Sequence, residues 1–363
     1  MDYHKGGRYL DGQIMIESIT TQDCEKWDDI VRSMNNYDVY YLSGYVKAFE
    51  INGDGRALLV YMHNDHVRAI HVLMVRDVAK ALQFQGILEE NKYFDAATPY
   101  GYGGILVDGD DIDDLLKEYQ DWCIKSNIIC EFVRFHPVLQ NVEKVQKYYD
   151  VVPLGDTVCL NTTSKEVVWK NIISKNRNMI RKAIKNGIQV YWGRAPWMID
   201  TFMEIYNKTM DKDAADKYYY FGKEFYESIL LDLKQEAMWF YALLDGKVIA
   251  MSIFLFADGK MHYHLSGSIK EYQNLAPTNL LLYEAAVWAS THGYSTLHLG
   301  GGVGASRDSL YAFKKAFNRE EDKHFAIGKK IYISEKYEEL LALRQKVDFG
   351  FSGQSSFFPK YRS

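Results

Sequence analysis

The sequence predicts an α/β protein made of two tandem copies of one unit, each a mixed, mostly antiparallel sheet flanked by helices. Three observations carry this expectation. The chain has 363 residues, more than a single hydrophobic core usually organises. Two β-rich stretches, 57–76 and 238–256, each double back on a polar turn. Each of these hairpins is followed by an amphipathic helix and then a short apolar strand.

The elements can be justified in order. ALLVYMHNDHVRAIHVLMVR (57–76) turns at His63–Asp65, and MWFYALLDGKVIAMSIFLF (238–256) turns at Asp245-Gly246. An Asp-Gly pair suits the positive backbone angles of a two-residue hairpin loop. The returning strands align, with Val67 on Val248 and Ala69 on Ala250. Residues 111–126 place Ile112, Leu115, Leu116, Tyr119, Trp122 and Cys123 on one helical face. A strand, Ile129–Phe135, comes next. In the second copy, helix 278–292 turns Leu281, Leu282, Ala285 and Trp288 inward, ahead of a strand at Ser295–Leu299. The offset between the copies shrinks between hairpin and helix, so the first copy holds extra residues there. Among them is TPYGYGG (98–104), too glycine-rich for a helix or a strand interior. It reads either as a turn whose rings lie on the core or as a loop that a ligand approaches closely.

Bulk properties exclude several classes. A net charge of −5 rules out a generic polyanion binder, so any nucleic-acid contact must come from a local patch. Cys24, Cys123, Cys130 and Cys159 contain no C-x-x-C pair and read as reduced thiols, with no zinc site or disulfide framework. MDYHKGGRYLDGQIM lacks the apolar stretch of a signal peptide. The longest apolar runs, such as MSIFLF (251–256), are strand-length. A cytoplasmic location is expected.

The clearest electrostatic feature is a basic cluster, Lys170, Lys175, Arg177, Arg181, Lys182, Lys185 and Arg194, with no acid between Val167 and Trp197. Arg177 and Arg181 share one helical face, and Lys182 and Lys185 share another. The cluster is either a solvated helix or a site for a polyanion, such as a tRNA backbone or a nucleotide diphosphate. LGGGVG (299–304) follows a strand end without the G-K-[ST] of a Walker loop. Arg134 interrupts an otherwise apolar run, and is read as a partner for a ligand carboxylate or diphosphate or as half of a structural salt bridge.

Several stretches together resemble the Fem family of double-GNAT transferases: TPYGYGG, EFVRFHP (131–137), SKNRNMIRKAIKNGIQV (174–190), IYNKTMDKDAADKYYYFGKEFY (205–226), YHLSGS (263–268), APTNLLLYEAAVWASTHGYSTLHLGGG (276–302) and SLYAFKKAFN (309–318). The resemblance spans roughly residues 20–360. It implies two tandem GNAT-like modules. Module 1 (1–155) is on the acceptor side, joined by the C-terminal tail 335–363. Module 2 (156–334) is on the acyl-donor side and carries a basic helix, 165–187. The tail SGQSSFFPKYRS should return to module 1, since Phe357 and Phe358 need a surface to cover them. The stretch from Trp192 to Trp239 is too short for the helical arm of larger members, which makes this a compact, armless type.

The implied activity is transfer of an aminoacyl group from aminoacyl-tRNA to an amine of a nucleotide- or lipid-linked peptidoglycan precursor. No metal or bound cofactor is expected, and tRNA is a co-substrate. Peripheral membrane association and oligomeric state stay open. An acyl-CoA-dependent N-acyltransferase acting on an amino sugar or another small amine is one alternative; SIKEYQNLAPTNLLL, where coenzyme-A-using relatives cradle pyrophosphate with glycines, has none. A non-catalytic protein that binds a nucleotide or glycan is the other. The aromatic–lysine pair Phe313-Lys314 matches the family's reaction centre, with Lys314 as oxyanion stabiliser. His264 is the candidate base. Tyr100, Tyr102 and Gly103 are expected to contact the acceptor, the glycines leaving room for it. Arg134, Arg177, Arg181 and Lys182 would hold phosphates, and Tyr219 and Tyr220 would wall the groove. Ser266, Asn279, Gly300 and Gly301 complete the expected substrate contacts.

Overall fold

The computed structural model describes residues 13–363 apart from positions 111, 349, 352 and 355. The N-terminal segment 1–12, the first residue of the predicted helix 111–126 and two serines of the tail lie outside the described residues. Among the described residues the strands are β1 (Met15–Thr20), β2 (Arg56–His63), β3 (Arg68–Asp77), β4 (Phe94–Ala97), β5 (Leu106–Asp108), β6 (Ile128–Arg134), β7 (Asp150–Asn161), β8 (Gln189–Gly193), β9 (Ala237–Leu244), β10 (Lys247–Ala257), β11 (Lys260–Ser268), β12 (Thr296–Gly300) and β13 (Lys323–Ile331).

The duplication is written in the strand order, β1-β2-β3-β4-β6-β13-β7-β12-β11-β10-β9-β8, with β5 pairing β3 off this path. From the outer edge inward, β1-β2-β3-β4 are antiparallel, β4 and β6 are parallel, and β6 and β13 are antiparallel. The other half repeats the series: β8-β9-β10-β11 antiparallel, β11 and β12 parallel, β12 and β7 antiparallel. Each half is the predicted hairpin, strand, helix, strand. The crossover helices are Asp113–Lys125 and Pro277–Thr291, because a parallel strand pair needs a long connection. Asp245 and Gly246 adopt φ 49° and 77° at the tip of the second hairpin, as the Asp-Gly turn requires.

The last strand of the first half comes from elsewhere in the chain. β13, late in the sequence, pairs with β6, while β7 pairs with β13 over Asp150–Thr157 and with β12 over Val158–Asn161. One strand thus crosses from the first sheet to the second, and the two sheets open to form a seam between them. A single apolar cluster bridges that seam. Tyr41, Tyr45 and Phe49 from the first half pack with Phe202, Phe225 and Trp239 from the second.

Residues 165–187 differ from the single predicted helix. They form two helices, Lys165–Asn171 and Ser174–Lys185. Ile172 is fully buried and extended, and the Ile173 N–H bonds to the Ala316 carbonyl at 3.1 Å. Those two tertiary contacts take the chain out of the helical path.

The tail lies against β3, β4 and β6. The Phe358 ring stacks on Tyr337 at 5.8 Å, whereas Phe357 is 52% exposed. The anchor is Tyr361, fully buried, whose hydroxyl donates to Asp95 at 3.0 Å. Arg362 and Arg76 flank the same carboxylate at 2.6 Å each. Removing so large a buried ring costs about 3–5 kcal/mol, so Tyr361→Ala should lower the urea midpoint by a corresponding amount. A midpoint unchanged within error would show that the tail is not part of the folding unit.

Candidate active site

β11 and β12 pair only over Lys260–His262 and Thr296–His298, and beyond these residues they part. On its other edge β11 slips register against β10 between Ile253 and Phe254, leaving His264 without a partner residue. The bulge reverses the alternation of side chains. Leu265 consequently joins the seam cluster, and Ser266 turns to the other face, where it meets the Ser252 hydroxyl at 2.8 Å.

Opposite this opening lies TPYGYGG. It leaves β4 and stays beside β6 through the Thr98 N–H to the Phe132 carbonyl (3.0 Å) and the Gly103 N–H to the Arg134 carbonyl (2.8 Å). Where a side chain would stand, its glycines already meet the protein's own atoms. A β-carbon on Gly101 would meet the Tyr40 ring at 2.7 Å, one on Gly103 would meet Thr98 Cγ2 at 2.9 Å, and one on Gly104 would meet Asn141 Nδ2 at 2.9 Å. The protein's own side chains occupy that space. The tyrosines, by contrast, reach the seam. Tyr102 stands edge-on to Tyr40 at 5.5 Å, with His136 at 5.6 Å, His298 at 5.1 Å and Phe325 at 5.4 Å.

Lys314 lies on the short helix Ser309–Lys315, buried, and its Nζ donates to the Gly301 carbonyl at 2.6 Å. Among the described residues it has no ion pair. Burial pushes its ammonium down to about 8. Lys315 differs: it donates to the Glu320 carbonyl at 2.6 Å and pairs with Asp322 at 3.0 Å. A β-carbon on Gly300, whose φ is 76°, would lie 3.5 Å from both Lys314 Nζ and the Tyr102 hydroxyl. The structure therefore gathers Tyr102, Gly300, Gly301 and Lys314 at one point. Phe313 packs on Phe317 at 5.6 Å, at the edge of the second core.

A second group forms around Arg134. Tyr100 lies 6.2 Å from Tyr218, 6.0 Å from Tyr219 and 6.0 Å from His264. Arg134 has no carboxylate partner among the described residues; it contacts the Thr98 carbonyl at 3.4 Å and lies over Phe132 at 4.9 Å. Burial lowers its guanidinium, with the phenols of Tyr218, Tyr100 and Tyr219 opposing. The salt-bridge reading of Arg134 finds no acid to pair with. His264 is a poor base here, since burial, with His262 beside it, pushes its imidazolium down to about 3.

The remaining predicted residues sit apart. Arg177 and Arg181 bracket the Trp169 ring at 5.9 and 5.2 Å, Lys182 donates to the Asn274 carbonyl at 2.7 Å, and Asn279 donates to Asn176 at 2.6 Å. Tyr220 turns outward to Asp211 at 2.8 Å.

Sequence reasoning missed a buried cluster at the seam. Asp38 Oδ2 accepts from His262 Nε2 at 2.9 Å and faces His136 Nε2 at 3.3 Å. Burial alone would raise the Asp38 carboxyl, but the two histidines reverse this and hold it far below the usual carboxylate range. The ligand atoms of the three residues lie within 4.8 Å of one another, close enough for a metal ion. However, His136 Nδ1 accepts the backbone N–H groups of Val138 and Leu139, at 3.2 Å each. Its proton is therefore on Nε2, the atom a metal would need, 3.3 Å from Asp38 Oδ2 but out of hydrogen-bonding alignment with it. The cluster is a carboxylate clamped between two imidazoles from opposite halves of the molecule. His298 adjoins it, 5.6 Å from His262, with Nε2 on the Thr157 hydroxyl at 2.8 Å. The available signal was that EFVRFHP, HYH (262–264) and LHLG (297–300) each place a histidine at or just beyond a strand.

Two sheets of the same strand series, the second opening between its parallel strands with a buried lysine over the opening, define a tandem GNAT acyltransferase fold. Residues 174–315 match the family described as "Acetyltransferase (GNAT) domain". The crystal structure of FemX is similar over 90% of this chain and 99% of its own, with TM-score 0.66 and 16% identity. A conserved protein of unknown function from Bacteroides thetaiotaomicron is similar over 88% of this chain and 100% of its own, with TM-score 0.56 and 10% identity. In sequence, the UDP-N-acetylmuramoylpentapeptide-lysine N(6)-alanyltransferase of Weissella viridescens is 26% identical over 172 residues, 46% of this chain and 50% of that enzyme. The chain thus matches about half the length of this curated relative. It has a tandem GNAT-type acyltransferase fold of the kind seen in FemX. Among the described residues, no helix is long and apolar enough to cross a membrane.

The Asp38 clamp makes a pH prediction. A carboxylate whose folded pKa is depressed contributes stability above its unfolded pKa, near 3.9, and loses it as pH falls through the folded value. Asp38→Asn should cost about 3 kcal/mol at pH 7 by breaking a buried pair, and the gap to the parent should narrow below about pH 4. Urea titrations at pH 7 and pH 3.5 measure both. A gap that is constant across that range would rule out an ionised Asp38 in the fold.

Proposed function

We propose that the protein transfers an aminoacyl group from aminoacyl-tRNA to an amine of a cell-wall precursor. The observation that carries this reading is Lys314: a buried cation, with no ion pair among the described residues, at the opening between β11 and β12. Aminolysis of an ester builds negative charge on the carbonyl oxygen, and a desolvated cation facing that oxygen stabilises it most when the charge is fully developed. The acceptor side is the Arg134 group, an uncompensated cation among phenols suited to a diphosphate or carboxylate. The donor side is the pair of basic helices. Next to them a groove of about 560 Å³, lined by Ile173, Arg307, Tyr311, Lys315 and Arg319, runs along the helix that carries Lys314. The alanyltransferase of Weissella viridescens, by its name, acts on a lysine N(6) of a UDP-linked muramoylpentapeptide, which supports an acceptor of this class. The cytoplasm is where charged tRNA and nucleotide precursors meet.

A second reading, transfer from acyl-CoA to an amino sugar or another small amine, draws on the match of residues 174–315 to an acetyltransferase domain. The binding-only alternative gives no role to a buried lysine held at about 8. Transfer assayed with charged tRNA and with acetyl-CoA separates the donors, and tRNA turnover is the expected result. Turnover of acetyl-CoA alone would establish the second reading.

Lys314→Ala should lower kcat by roughly 10²–10³ with little change in KM, while Lys315→Ala, which removes a half-buried ion pair away from the opening, should be mild. Because Lys314 works as a cation, kcat should fall as pH rises through about 8. A rate that rises through that pH would make Lys314 a base instead. Arg134→Gln should raise the KM for the acceptor by roughly tenfold or more, the scale of a lost charged contact, and leave the donor KM alone. Equal effects on both would place Arg134 outside the acceptor site.

A further inference from the structure

We infer that Tyr102 is a second catalytic donor: its hydroxyl and Lys314 Nζ together form a two-point oxyanion site over Gly300, assembled from both halves of the molecule. The inference rests on the acyl-transfer reading above and does not depend on which acyl donor is used.

Three observations converge on it. First, the vacant β-position of Gly300 lies 3.5 Å from Lys314 Nζ and 3.5 Å from the Tyr102 hydroxyl. The two donors are therefore at most twice that distance apart, and both border the atom-sized space at that position. A carbonyl oxygen entering that space meets both. Second, the Tyr102 hydroxyl has no hydrogen-bond partner among the described residues, although its ring is packed by Tyr40, His136, His298 and Phe325. The ring is held in place while the hydroxyl stays accessible, free to donate to a group from outside the chain. Third, most other glycines of the two loops are closed by protein atoms, and Gly304, the exception, faces open space with no donor near it. Gly101, Gly103 and Gly104 are contacted within 2.9 Å, Gly301 would meet the Asp156 carbonyl at 2.9 Å, and Gly302 would meet Asp308 at 2.2 Å. The space at Gly300 differs from these, and polar donors line it.

The step balances without another reactant. The amine nitrogen bonds to the acyl carbon, and the carbonyl π pair moves onto oxygen between Lys314 and Tyr102. The pair returns as the bond from carbon to the departing oxygen (or sulfur, for a thioester) breaks. The amine's proton ends on the departing group. Neither donor gives up its proton; both strengthen their hydrogen bonds as charge develops, which places their effect in kcat. Tyr102 belongs to the first half and Lys314 to the second, so the site exists only when the two sheets are locked together.

The test is Tyr102→Phe, which keeps the ring and its packing and removes only the hydroxyl. The parent is first assayed with charged tRNA and with acetyl-CoA, and the variant with whichever donor turns over. Expected is a fall in kcat of roughly 10–100-fold with KM for donor and acceptor within threefold. In the Lys314→Ala background the same change should cost much less, because the two groups act on one oxygen. Gly300→Ala should abolish turnover while an unchanged far-ultraviolet spectrum shows the fold intact. An unchanged kcat in Tyr102→Phe, or a rise in acceptor KM alone, overturns the inference and leaves Tyr102 an acceptor contact. Full additivity with Lys314→Ala overturns it as well. No turnover by the parent with either donor overturns the acyl-transfer reading and this inference with it.

Discussion

The hydrogen bonding of β7 constrains everything else in the molecule. Its first half pairs with β13 and its second with β12, so one continuous strand belongs to both sheets. β13 in turn closes the first half on β6. The first half lacks its final strand until the second half supplies β13. Backbone ladders of this kind fix register to the residue, which is what lets side chains from opposite halves meet at the distances a reaction needs. Tyr102 and Lys314 lie on different halves, and no local segment could hold them together at Gly300.

The seam that this exchange creates is unusually polar for a buried surface. Asp38, His136, His262 and His298 are all essentially buried. Removing a carboxylate from water costs several kcal/mol unless compensated, and Asp38 takes a hydrogen bond from His262 of the second half with His136 of the first half 3.3 Å away. That clamp does for the side chains what β7 does for the backbone. It also means that the seam cannot slide without uncovering an ion, so it resists the drift that a purely apolar contact tolerates. Lys314 sits just outside the clamp and has no acid of its own. A carboxylate beside it would engage its charge, as Asp322 does for Lys315 in an ion pair at 3.0 Å. Leaving it unpaired is costly for stability and useful for stabilising a charge that appears only during reaction.

Much of the architecture was legible in the sequence. The Asp245-Gly246 turn, the apolar face of Asp113–Lys125 and the run ahead of Thr296–Gly300 each follow from local rules that tertiary context did not override. The strand exchange was not legible, because pairing between β6 and β13 depends on residues about two hundred positions apart and leaves no periodic trace. The break at Ile172–Ile173 was invisible for the same reason: its cause is the carbonyl of Ala316. At the site, Lys314 and Tyr102 were singled out by type and context. Their neighbour His262 was passed over for His264, since a single bulge in β11 changes which residues face the seam. Alternation alone carries no information about where a bulge falls.

The glycines show why residue type underdetermines role. TPYGYGG and LGGGVG have similar composition and both border the seam. In the first loop, glycine lets Tyr40, Thr98 and Asn141 press onto the backbone, and this packing is what presents Tyr102 to the second half. In the second loop, Gly301 and Gly302 are likewise closed by Asp156 and Asp308, and only Gly300 opens onto donors. A missing side chain is thus used to tighten the protein at several positions and to admit an atom from outside at one. Which use applies is decided by what the opposite half contributes, and so the chemistry of the LGG loop is fixed by a tyrosine almost two hundred residues earlier in the chain.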